Sequence, residues 1–118
     1  MAIDRRYRVS LHLPDGAVRE LSVAAHEHIW DAAHAEGIEL PSICHQGRCL
    51  TCAARLLRDG DFDCTDAVRY FPEDRAEGFI LLCTCSPRSD LDLQTHQQKA
   101  MREHRERLGL PAPYSGVD

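Results

Sequence analysis

Between Tyr7 and Leu13 apolar and polar side chains alternate, with Tyr7, Val9, Leu11 and Leu13 set against Arg8, Ser10 and His12, the period of a half-buried strand. Pro14-Asp15-Gly16 supplies a turn and Val18 to Val23 alternates again, so the opening 24 residues predict a β-hairpin. His26 or Glu27 opens the next element. From Ile29 to Ile38 the period changes: Ile29, Trp30, Ala33 and Ala35 have helical spacing and Gly37 stands where a C-terminal cap belongs, which predicts a short amphipathic helix. Leu40-Pro41 ends it. Ser42 to Cys52 has no apolar period, so this cysteine-rich segment is a loop shaped by something other than its own packing. Ala53 to Leu57 and Phe79 to Cys85 read as buried strands, separated by a polar stretch broken at Gly60, Pro72 and Gly78, and Leu91 to Leu93 as one more short strand. Thr95 to Leu108 is rich in helix formers, and Gly109 with Pro111 stops it.

A chain of 118 residues, 43% apolar, holds one core and predicts a single domain. Nineteen Asp and Glu against fourteen Lys and Arg leave a net charge of −5, which argues against nucleic acid or a membrane surface held by bulk charge and favours a partner with a basic docking face. The acidity belongs to the first 98 residues, at −6, while residues 99–118 carry +1. Met1 to Arg8 leads straight into the first strand with no apolar signal segment, and no apolar run is long enough to span a bilayer. A soluble, cytoplasmic protein without membrane insertion is expected. In that setting six cysteines read as metal ligands or redox groups before they read as a disulfide framework.

The chemistry lies in the spacing Cys44-x4-Cys49-x2-Cys52, followed by Cys83 after thirty intervening residues. Iron in a 2Fe-2S cluster takes tetrahedral sulfur coordination, so four thiolates must converge from two sides, three of them from one tight loop. Gly47 lets that loop bend and lets backbone N–H groups approach the cluster sulfides. A structural zinc site pairs two C-x2-C knuckles, whereas here one stands alone. The seven histidines are scattered without metalloenzyme spacing, and His45, beside the first cysteine, reads as a solvated side chain. No group looks like a nucleophile with its base, so the chain is not expected to be an enzyme.

The C-x4-C-x2-C…C spacing is the plant-type signature, and around it the chain resembles plant and cyanobacterial 2Fe-2S ferredoxins from about Tyr7 to Gln98. The resemblance runs through Ile29-Trp30-Asp31-Ala32-Ala33, Leu40-Pro41-Ser42, Cys44 to Ala53, Leu82-Cys83, Ser86-Pro87-Arg88-Ser89-Asp90 and Thr95-His96, in the family's order. It implies an α+β, β-grasp (ubiquitin-like) fold, a mixed sheet of four to five strands packed on one main helix. The ferredoxin domain would occupy residues 1–98, with a C-terminal extension over 99–118 that is helical to about 108. It also implies a cluster on Cys44, Cys49, Cys52 and Cys83, the first two on the outer iron and the last two on the inner one. Cys83 and Cys85, two apart in a strand, would point the same way. The family's ligand lies four residues before the Pro of the Pro-x-Ser-Asp segment, which puts Cys83 first and leaves Cys85 as its substitute. Otherwise Cys85 is a buried thiol acting as a small hydrophobe and Cys64 an ordinary thiol.

The resemblance implies a one-electron carrier in a photosynthetic-type or related bacterial chain, with photosystem I or a ferredoxin reductase as donor and a specialised redox protein as acceptor. The cytoplasm would be bacterial, cyanobacterial in character, or a plastid stroma, and a monomer is expected. The alternative is a dedicated donor to an oxygenase or assembly system, or an iron- or oxygen-responsive sensor. Some residues depart from the pattern. Gln97, Gln98, Lys99 and Ala100 replace an acidic segment that docks the family's reductase. Arg69 stands at an aromatic position near the cluster, with Tyr70 and Phe71 shifted along. Leu50 replaces a Ser whose hydroxyl can bond near a sulfur, which should disfavour the reduced state. The extension reads equally as a solvated helix or as an element closing over part of the sheet, with Met101 and Leu108 on one face.

Overall fold

The structure, a computed structural model, describes residues 5–40, 50–67 and 69–112. The predicted hairpin forms from β1 (Arg6–His12) and β2 (Val18–Ala24), paired antiparallel with Val9 opposite Leu21 and Tyr7 opposite Val23. Alternation sends Val9, Leu11, Leu21 and Val23 to the core face, each at most 5% exposed. Helix α1 (Ile29–Ala35) lies against β2 and buries Ile29, Ala32 and Ala33, the i, i+3, i+4 stripe of an amphipathic helix. It ends as the sequence implies. Gly37 takes φ +76°, its N–H bonds to the His34 carbonyl at 3.0 Å, and the Ile38 N–H reaches back to the Ala33 carbonyl at 2.9 Å. A left-handed residue is needed there, and glycine adopts that conformation without a β-carbon clash.

β3 (Ala53–Leu56), β5 (Phe79–Leu81) and β7 (Leu91–Gln94) complete a mixed five-stranded sheet in the order β2-β1-β7-β3-β5. β7 sits in the middle, parallel to β1 and antiparallel to β3, which stacks Leu91 on Val9 and Leu93 between Leu11 and Leu56. This is the β-grasp arrangement, and its core is the apolar cluster shared by the inner sheet face and α1. A two-stranded sheet of β4 (Phe62–Asp63) and β6 (Ser86–Pro87) stands beside it.

Three details differ from the sequence reading. The strand expected over Phe79 to Cys85 stops at Leu81, and Leu82 to Thr84 form a turn. The polar stretch contains a short helix, α2 (Pro72–Ala76), whose Asp74 carboxylate reaches back to the Phe71 N–H at 2.9 Å. Of the two readings left open for the C-terminal helix, α3 (Gln98–Leu108) takes the packed one, with Met101, His104 and Arg105 buried, but it does not keep Met101 and Leu108 alike. Its buried face is therefore partly polar, while Leu108 is 50% exposed and does not share the burial of Met101.

Arg105 explains why a charged helix docks. Its guanidinium lies fully buried against the equally buried Asp74, with Nη2 2.8 Å from Oδ2 and Nε 3.3 Å from Oδ1. Nη2 also donates to the Arg69 carbonyl at 3.0 Å, Nη1 donates to the Pro111 carbonyl at 3.1 Å, and the group lies over the Phe71 ring. One side chain thus ties α3 to the start of α2, to residue 69 and to the chain beyond α3. His104 Nε2 lies 3.2 Å from Asp74 Oδ1 but outside hydrogen-bond geometry. Gly109, at φ +71°, closes the helix as Gly37 closes α1, with the Leu110 N–H on the Arg105 carbonyl at 2.8 Å.

Candidate metal centre

Cys52 and Cys83 come together at one end of the β3–β5 pair. Ala53 lies opposite Leu81 in that ladder, and just past it the Leu82 N–H donates to the Cys52 carbonyl at 3.2 Å. Both cysteines are buried, at 2% and 4% exposed. The turn that carries Cys83 closes through Thr84 and Cys85 N–H groups on the Leu81 carbonyl. It is anchored from outside as well: the first turn of α1 gives its Trp30 N–H to the Leu82 carbonyl at 2.9 Å and its Ile29 N–H to the Cys85 carbonyl at 3.1 Å. N–H groups that a helix start leaves without intrahelical partners therefore fix this turn. Cys44 and Cys49, with His45 and Gly47, lie outside the described residues.

Two hydroxyls were not singled out from the sequence. Thr51 Oγ1 and Thr84 Oγ1, each the immediate neighbour of one of these cysteines, are buried and have no hydrogen-bond partner among the described residues. Leaving a buried hydroxyl unpaired costs about 1–3 kcal/mol, so two of them, each next in sequence to a buried cysteine, suit a site whose acceptor is not among the described residues. The donor set fits a 2Fe-2S cluster: sulfur ligands of the kind iron takes, and hydroxyls able to bond to sulfur. The sequence signal was adjacency alone, since both threonines precede or follow a cysteine of the motif.

The remaining residues of interest have other tasks. Leu50, placed among the departures from the family pattern, is a fully buried core residue whose carbonyl accepts the Ala53 N–H at 3.0 Å. Arg69 is exposed, while Tyr70 and Phe71 serve the interior: Tyr70 donates its phenol to the Phe79 carbonyl and meets Phe62 edge-on at 6.3 Å. Burial pushes that phenol well above its ordinary range.

Cys64 and Cys85 are neither separate thiols nor, for Cys85, a substitute ligand in this structure. They form a disulfide, with Cα atoms 4.4 Å apart. The expectation that Cys83 and Cys85 point the same way assumed a continuous strand. The turn at Leu82–Thr84 breaks that alternation, and Cys85 faces Cys64 instead.

In comparison with known proteins, the family described as "2Fe-2S iron-sulfur cluster binding domain" matches residues 13–88. The chain belongs to the plant- and cyanobacterial-type 2Fe-2S ferredoxin family. Its cofactor is a 2Fe-2S cluster and it is an electron carrier. It is 40% identical over 83 residues to Ferredoxin-2 of Synechococcus sp., covering 70% of this chain and 78% of that one. It is 33% identical over 93 residues to the chloroplastic Ferredoxin-6 of Zea mays, covering 79% and 59% respectively. Among solved structures it is similar to pectocin M2, with a TM-score of 0.69 and 29% identity over 79% of this chain and 33% of that one. The chain thus spans about a third of that larger protein. Among the described residues no helix is long and apolar enough to cross a membrane.

Proposed function

We propose that Cys44, Cys49, Cys52 and Cys83 hold the cluster, and that the chain carries single electrons in a photosynthetic-type or related bacterial chain. The donor would be photosystem I or a ferredoxin reductase, and the acceptor a specialised redox protein. The observation that carries the ligand assignment is the placing of buried Cys52 and Cys83, each next in sequence to an unpartnered buried hydroxyl, at one end of β3 and β5. When bound, the cluster supplies one reversible unit of reducing power.

The chain's own residues do the rest. Backbone bonds from α1 and Cys52 hold the Cys83 turn, so its sulfur is positioned before any partner docks. Thr51 and Thr84 offer donors whose bonds strengthen as negative charge arrives on the sulfurs. Burial of Cys52 and Cys83 excludes water from the inner side, which opposes added charge, and the hydroxyls offset that opposition. Brief docking suffices for such a carrier, which we read as a cytoplasmic monomer.

A second reading, a dedicated donor to an oxygenase, draws on the solved structures. An Amycolatopsis cytochrome P450 reductase resembles the chain with a TM-score of 0.66 at 27% identity, and the ferredoxin reductase in carbazole 1,9a-dioxygenase with 0.58 at 26%. The deciding experiment is an EPR-monitored redox titration of anaerobically purified protein, with iron and acid-labile sulfide assayed on the same sample. Two irons and two sulfides per chain with a rhombic signal on reduction support the carrier reading, and zinc without sulfide would sink it. Rates of transfer to photosystem I and to a P450 or dioxygenase then separate the two pathways.

A further inference from the structure

The Cys64–Cys85 bond occupies a defined place in the fold. Phe62 pairs with Pro87 and Asp63 with Ser86, and the next rung of that antiparallel register is Cys64 opposite Cys85. Their Cα separation of 4.4 Å is that of a directly opposed, non-hydrogen-bonded pair, about 4.5 Å. Other contacts hold the same two segments together. The Arg88 N–H bonds to the Asp61 carbonyl at 2.9 Å, the Asp61 N–H to Ser89 Oγ at 2.8 Å, and Arg88 pairs with Asp63 at 3.0 Å. The Cys64 segment is also tied to both neighbouring helices, by Arg75 of α2 to Asp61 at 2.9 Å and by His28, just before α1, to Asp66 at 2.8 Å. With the bond open, these contacts keep the two sulfurs facing each other, so closure remains a local event.

The two sulfurs differ in access. Cys85 is fully buried, whereas Cys64 is half-buried and lines an open cleft of about 640 Å³ with Phe62, Tyr70, Arg75 and Arg88. That volume suits a small molecule. In the cleft Arg75 is paired with Asp61 and Arg88 with Asp63, so its wall presents charges of both signs, with which the carboxylates and ammonium of a small zwitterion can exchange partners. An attacking thiolate can reach only the Cys64 side, and exchange depends on which sulfur is accessible.

We propose that Cys64–Cys85 is a reversible thiol-exchange site, entered at Cys64 by a small zwitterionic thiol of the glutathione class. The incoming thiolate forms a bond to Cys64 Sγ as the Cys64–Cys85 bond breaks. The electron pair of the broken bond goes to Cys85 Sγ, which takes up a proton. A second thiol attacks the mixed disulfide, releasing Cys64 as a thiol and leaving as the oxidised dimer. Two thiols are oxidised and one disulfide is reduced. These sulfurs are distinct from the proposed cluster ligands, so the proposal goes beyond the electron-carrier reading and can fail without it.

The test uses the cluster-loaded chain, held anaerobically in glutathione buffers of rising reduced-to-oxidised ratio, then alkylated and mapped by mass spectrometry while cluster absorbance is followed. Cys64 and Cys85 are expected to become alkylated together with the absorbance intact, and quenched samples should carry the glutathione adduct on Cys64. In Cys85→Ser, Cys64 should form that adduct at least about tenfold faster than Cys85 does in Cys64→Ser, since access controls reactivity. Three outcomes overturn the proposal: a bond that opens only after urea unfolds the chain, an adduct first found on Cys85, or reduction by dithiothreitol but not by glutathione. Missing absorbance would instead count against the carrier reading.

Discussion

Replacing Arg105 with Met tests whether the buried guanidinium holds the C-terminal helix in place. Arg105 and Asp74 are both fully buried, and Arg105 makes four hydrogen bonds inside the protein. Removing one member of a buried pair costs about 3–5 kcal/mol because the other charge is left without compensation. Here Asp74 keeps the Phe71 N–H at 2.9 Å, which favours the lower end of that range. At about 4 °C per kcal/mol for a chain of this length, the melting temperature should fall by about 12 °C. The assay is thermal melting by circular dichroism at one fixed scan rate, because cluster loss makes the transition kinetic, together with amide exchange of α3. Exchange over Gln98–Leu108 is expected to rise more than exchange in β1 and β7, whose pairing does not involve Arg105. Adding Asp74→Leu should recover most of the loss, since an apolar pair replaces a desolvated ionic one. A drop under about 4 °C with unchanged α3 exchange would refute the reasoning.

Three further outcomes follow from the site. Thr84→Val or Thr51→Val should lower the midpoint potential in an EPR titration, since a bond worth about 0.5–1.5 kcal/mol more to the reduced state converts to about 20–60 mV for one electron; an unchanged midpoint means the hydroxyl bonds elsewhere. Cys83→Ser should abolish the visible absorbance of the purified protein while Cys85→Ser keeps it, and the reverse pattern would make Cys85 the ligand. Asp63 accepts the Thr65 N–H at 2.8 Å and the Thr65 hydroxyl at 2.7 Å; with Arg88 nearby, these hold its carboxyl below the ordinary 3.8. Its stabilisation is therefore present above pH 3.8 and lost as pH falls through the lower folded value. Asp63→Asn should lower the urea midpoint at pH 7, and the gap to the unsubstituted chain should narrow below 3.8.

Much of the fold was legible because single elements declared themselves. The hairpin, α1 with its Gly37 cap and the short strand at Leu91 each follow from local period, and each forms where the sequence places it. The motif also named the cofactor. What it missed depends on pairing between distant segments. The turn at Leu82–Thr84 is buried throughout, so no alternation of exposed and buried positions distinguished it from the end of a strand. The disulfide depends on a ladder of only two residue pairs, whose register no sequence pattern encodes. In α3 the packed side is the one that carries Met101, but it also buries His104 and Arg105, which no hydrophobic pattern singles out. Cys44 and Cys49 lie outside the described residues, so their assignment beside Cys52 and Cys83 is carried by the motif spacing alone.

The polar anchor of α3 also bears on why the extension docks in one register. An apolar face that slides along a sheet by one turn still buries similar area, whereas a guanidinium must meet a carboxylate and a carbonyl at fixed positions. Arg105 meets Asp74 and the Arg69 carbonyl together, both outside α3, and a shift of one turn would lose both. A buried ion pair adds little stability over an apolar pair of similar size, so positional specificity is the better account of its presence. The Arg105→Met, Asp74→Leu double variant separates the two roles. If specificity is the reason, it melts near the unsubstituted chain while amide exchange over α3 stays heterogeneous. If stability is the reason, exchange and melting return together. Because the same guanidinium holds the carbonyl of Arg69, the residue at the family's aromatic position, α3 is coupled to that segment through a single side chain.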